Sequence, residues 1–177
     1  MLRRLKPSRA CACACSSLLV WLAGCGYQSI YGGSPAHRYE VTAGRSATAS
    51  FEAVQAAVAG VRSELGAAEA LGSGFPRVVV EVVRVDERSI GVREGEGPTP
   101  LARGAEIVVV GRAQVLDAPE APPSIDTGDM SRTAQYAAGS TPTADAASRS
   151  RAVRDASRAL GHALGRAVLG MPEPAAD

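Results

Sequence analysis

Residues 77–85 read Arg-Val-Val-Val-Glu-Val-Val-Arg-Val. Five β-branched valines in six positions from Val78 to Val83, then Val85, predict a strand covered on one face and partly on the other. A second run over 105–116 alternates more cleanly, with Ile107, Val109, Ala113 and Val115 on one face and Glu106, Arg112 and Gln114 opposite. Between them, 86–104 carries Gly91, Gly95, Gly97, Pro98, Pro100 and Gly104, which predicts a long hairpin connection, with Ile90 and Val92 able to extend the two strands into it.

Working outward, Ser50 has the side chain of an N-cap and Glu52 sits in the first turn, where its charge suits the helix dipole. Phe51, Val54, Val58, Val61, Leu65 and Ala68 follow at steps of three and four, predicting an amphipathic helix that ends near Leu71 and Gly72. Before it, 37–42 alternates Tyr39 and Val41 against Arg38 and Glu40 and reads as a first strand. Residues 118–123 form a Pro-rich break, and 132–136 reads as a fourth strand. The final helix is expected over 144–169, with Val153, Ala156, Leu160, Leu164, Ala167 and Val168 on one face and Arg151, Asp155, Arg158, His162 and Arg166 on the other. Gly161 and Gly165 have the spacing of a close helix contact, for which Gly60 or Gly66 of the first helix is the natural partner, while the interspersed charges exclude a spanning helix. The order strand, helix, strand, strand, strand, helix predicts an α+β sandwich: two helices on one face of a three- or four-stranded mixed or antiparallel sheet over 37–170.

The chain has 177 residues, a net charge of +1 and 4% aromatic residues, enough for one domain with a light aliphatic core. Its first 24 residues divide into a basic start (Arg3, Arg4, Lys6, Arg9), a short apolar run and a small-residue exit, the layout of a secretory signal. The apolar run of about 14 residues is shorter than the roughly 20 that a membrane span needs. Leu22-Ala23-Gly24-Cys25 matches the bacterial lipobox: cleavage is expected between Gly24 and Cys25, with the Cys25 thiol accepting diacylglycerol. Two or three acyl chains, at about 0.8 kcal/mol per buried CH₂, would fix the protein to a membrane. Gly26 in place of Asp after the cysteine favours the outer membrane, with the domain facing the periplasm. Residues 25–36 then form a turn-rich lipidated tether, and 171–177 an unstructured tail.

A chain starting at Cys25 keeps 15 basic against 18 acidic residues, net −3, which gives no bulk drive toward nucleic acid. Cys11, Cys13 and Cys15 precede the cleavage point, so no internal disulfide is expected. His37 and His162 lie in unrelated segments, and His162 falls on the polar face of the last helix, where a solvated ring is expected. Asp86 with Glu87, or Glu94 with Glu96, could form a carboxylate pair, but in a Gly-rich connection they are expected to be solvated. The chain is therefore expected not to be an enzyme and to need no cofactor or metal.

The opening Leu22-Ala23-Gly24-Cys25-Gly26-Tyr27, the element order and the terminal stretch Ala152-Val153-Arg154-Asp155-Ala156-Ser157-Arg158-Ala159-Leu160 resemble the lipopolysaccharide-assembly lipoproteins of the LptE kind. That resemblance implies a scaffold or plug for an LptD-like β-barrel translocon of the outer membrane, in contact with lipopolysaccharide. Arginine's planar fork pairs well with phosphate, so Arg88, Arg93 and Arg103 around the hairpin, and Arg151, Arg158 and Arg166 along the last helix, are the candidate phosphate contacts, against the plainer expectation of a solvated loop and a solvated helix face. The competing expectation is a stand-alone envelope lipoprotein that binds a periplasmic ligand or another envelope protein.

Overall fold

The computed structural model describes residues 37–45, 50–92, 103–137 and 141–172. The leader, Cys25, the tether and Arg93, Glu94 and Glu96 lie outside the described residues. The strands are β1 (Glu40–Ala43), β2 (Arg77–Val92), β3 (Arg103–Leu116), β4 (Ile125–Asp126) and β5 (Met130–Ala137); the helices are α1 (Phe51–Ala67) and α2 (Pro142–Val168). The chain is an α+β sandwich of two layers with the order β-α-β-β-β-α.

The valine run becomes the centre of the sheet. β1 lies parallel to β2, with Val41 beside Val78, as a strand joined to its neighbour through a helix can. β2 pairs antiparallel with β3 from Arg77 opposite Leu116 out to Val92 opposite Arg103. β4 and β5 share the far edge of β3, β4 at Gln114 and Val115 and β5 from Gly104 to Gly111. The ladder therefore consumes much of the predicted 86–104 connection: β2 continues through Ile90, opposite Gly104, to Val92, opposite Arg103. β5 is the predicted fourth strand, longer than 132–136 by two residues at its start, and β4 is an addition.

Val41, Val78, Val80, Val82, Ile107, Val109, Ala113 and Val115 are buried against the helices. The opposite sheet face carries cross-strand polar pairs: Arg77 to Glu40 at 2.7 Å, Arg112 to Glu81 at 2.9 Å and Gln114 to Asp126 at 2.8 Å. A register shift between Val82 and Arg84 changes which residues face the helices. Uninterrupted alternation from Val78 would turn Arg84 and Asp86 inward; with the shift, Val85 stands opposite Val109 and Glu87 opposite Ile107 on the helix side.

α1 starts at the predicted cap, where Ala53 N–H donates to Ser50 Oγ at 3.3 Å. Its end differs from the expected Leu71: Glu69 takes a left-handed φ of 55°, and Ala70 N–H donates to Leu65 O at 2.7 Å, which closes the last turn. Ala70 is then buried, and Leu71 forms a bridge beside Tyr39. Phe51 leaves the expected stripe and is 78% exposed, while Ala53, Ala56 and Ala57 widen the buried face.

α2 begins two residues earlier than expected, with Thr141 as N-cap and Pro142 in the first turn. The helices meet at glycine. A Cβ on Gly161 would lie 2.1 Å from Ala57 O, and one on Gly60 2.4 Å from Arg158 O, so the two backbones touch. Gly66 takes no part, its nearest neighbour being Leu71 Cδ1.

Candidate functional site

Among the described residues, polar side chains from four elements converge where the N-terminal ends of α1 and α2 overhang β2. Glu87, turned inward by the register shift, accepts a hydrogen bond from Tyr136 Oη at 2.5 Å and from Arg149 Nε at 2.7 Å. On α1, Glu52 accepts from Ser150 Oγ at 2.6 Å and from the Arg154 guanidinium. Ser150 also accepts from Arg154 Nη1 at 2.9 Å, so α2 is tied to α1 through one small network. Between these two carboxylates lies a cleft of about 300 Å³ lined by Ser50, Glu52, Val85, Ala146, Arg149, Ser150 and Val153.

The electrostatics follow from the partners. The hydrogen bond from Tyr136, with that from Arg149, holds the Glu87 carboxyl below its ordinary pKa. The same bond stabilises the neutral phenol and pushes Tyr136 up to about 12. Glu52 is lowered mainly by the Ser150 hydroxyl, with Arg154 adding to it. Both carboxylates are therefore ionised at neutral pH and both arginines are engaged. The arrangement can bind and position. Among the described residues no group of three His, Cys, Asp or Glu side chains is placed to hold a metal.

The residues singled out by sequence fall as follows. Arg88 is exposed on the open sheet face, in register with Glu106. Arg103 pairs through its backbone with Val92 at the far end of the hairpin, where its side chain is not described, and Arg93 lies outside the described residues. The three are not shown converging on one point. Asp86 and Glu87 do not form a carboxylate pair: as neighbours on a strand they point to opposite faces, Asp86 toward Arg84 at 3.1 Å and Glu87 under α2. His162 is not merely solvated, since its Nδ1 lies 2.8 Å from Glu64 Oε1 across the helix pair. The Glu87–Tyr136–Arg149 cluster was not read from sequence, because its members are 49 and 62 residues apart and Glu87 reaches the helix side only through the register shift.

No helix of the described residues is long and apolar enough to cross a membrane. Neither a family model nor a curated protein sequence matches the chain. Among solved structures, it is similar to a minor lipoprotein from Acinetobacter baumannii at 11% identity and a TM-score of 0.47, over 75% of this chain and 92% of that one. It is also similar to the rare lipoprotein B from Shewanella oneidensis, at 8% identity and a TM-score of 0.44 over 76% and 95% of the respective chains. A candidate lipoprotein from Caulobacter crescentus matches at 14% identity and a TM-score of 0.44, over 77% and 93%.

Proposed function

We propose that this chain is an outer-membrane lipoprotein, tethered through Cys25, that acts as an LptE-like scaffold or plug for a β-barrel translocon in lipopolysaccharide assembly. The observation that carries this reading is a lipobox, Leu22-Ala23-Gly24-Cys25, placed ahead of a sheet whose helices cover one face and leave the other lined by paired charges. An open face of this kind suits a polar, hydrated surface. Cross-strand pairs such as Arg77–Glu40 and Arg112–Glu81 neutralise much of its charge, which lowers the cost of packing it against the polar interior of a barrel.

Arg88 extends the reading toward the ligand. It stands near the end of the hairpin where residues 87–90 are exposed, and an arginine so placed can donate to a phosphate of the lipid.

The test is a pull-down of the tagged, lipidated protein from detergent-solubilised outer membranes. A β-barrel recovered at stoichiometric yield is expected. Recovery of the protein without such a partner would overturn the scaffold reading and favour a stand-alone envelope lipoprotein.

A further inference from the structure

We propose that the first part of α2, residues 142–151, is a detachable arm that closes over the Val85 cleft and is held shut by the Glu87 and Glu52 side chains. The inference goes beyond the barrel reading and does not rest on it.

Burial along α2 divides sharply. All ten of its buried residues lie from Ala152 to Val168, and none of the positions from 142 to 151 is buried. The first part therefore contributes no fully buried side chain, although Thr141 caps it and keeps it helical. Polar contacts hold it: Arg149 to Glu87, whose side chains are 53% and 39% exposed, and Ser150 to Glu52, with Arg154 of the fixed part bonded to both Ser150 and Glu52. Partly exposed pairs of this kind are weak and salt-screened, so closure is poised to be reversible. The rest of the helix is fixed by Leu160, Leu164 and the glycine contact with α1, and stays in place when the arm opens.

Beneath the arm lies Val85, half-buried, and Tyr136 of β5 reaches the arm's edge through its hydrogen bond to Glu87. Opening uncovers this mixed apolar and polar surface and frees Arg149, Ser150 and Glu87, while Glu52 keeps Arg154. The charged and titratable groups that face one another across the cleft are Glu52 of α1, Glu87 of β2, Tyr136 of β5 and Asp145, Arg149 and Arg154 of α2.

The experiment places a reporter under the arm. Val85→Cys is introduced into the full chain, purified in detergent, and its maleimide labelling rate is measured with the parent chain's background subtracted. Adding Glu52→Gln and Glu87→Gln keeps the shape and removes the charge; labelling at position 85 should rise about tenfold, as expected when a local opening loses its holding contacts. A second reporter, Val79→Cys on the far side of the sheet, should be unaffected. Unchanged labelling at 85, or an equal rise at both reporters, overturns the proposal. Amide exchange in the cysteine-free background gives an independent reading: the double variant should open no part of 153–165, and loss of protection there would equally overturn it.

Discussion

Gly161 carries more of the helix pairing than any side chain near it. With a Cβ only 2.1 Å from Ala57 O, an alanine there must push α1 and α2 apart. Gly161→Ala is expected to destabilise the domain by about 1–3 kcal/mol, the usual cost of overpacking a close contact, read as a lower midpoint in urea. Gly66→Ala is the control. Its new methyl would meet only the tip of Leu71 at 3.3 Å, and replacing a helical glycine gains up to about 1 kcal/mol of propensity. Its midpoint should hold or rise. Equal losses in the two variants would remove the special role assigned to Gly161. The sequence pointed to this contact through the spacing of Gly161 and Gly165, but left Gly60 and Gly66 equivalent. Only the α1–α2 register separates them, and the register depends on how both helices sit on the sheet.

At the level of elements, the stripes were legible and the phase change was not. Val54, Val58, Val61 and Leu65 on α1, and Val153, Ala156, Leu160 and Leu164 on α2, are buried as their spacing predicts, since helical period and burial are one constraint. The shift at Val82 and Arg84 had no local signal: Val82-Val83 contains neither glycine nor proline, and both residues suit either face. Glu87, expected as a solvated residue of the connection, is turned to the helix side only by this shift. Leu160→Asp would set an unpaired charge at a fully buried position and should cost several kcal/mol, about the loss measured for buried unpaired groups generally; an unchanged melting temperature would contradict the packing of α2. Acid is the second test of this element. The carboxyls of Glu52 and Glu87 are lowered on folding, so the stability they add is present above the ordinary carboxylate range and disappears as pH falls through the lowered values. Melting curves from pH 7 to pH 3 should therefore fall more steeply for the parent than for the Glu52→Gln, Glu87→Gln variant. Parallel curves would mean that neither carboxylate is coupled to folding.

For the whole molecule, the leader and the domain answer different questions. On the proposed reading Leu22-Ala23-Gly24-Cys25 is the point of attachment, which predicts that Cys25→Ala abolishes incorporation of labelled palmitate and leaves the precursor uncut; persistent labelling would show that the lipid sits elsewhere. The domain states what is presented: one face closed by helices, the other carrying cross-strand charge pairs around the buried Val108 and Val110. Thr133 on β5 lies exposed on the open face, in register with Val108, while Arg158 lies exposed on the outer side of α2. The most direct measurement is a photo-crosslinker placed at each of these positions in the membrane-bound protein. A covalent adduct with an outer-membrane β-barrel from position 133, and none from 158, is the result the scaffold account predicts; no barrel adduct from 133, or one from 158 alone, would contradict it.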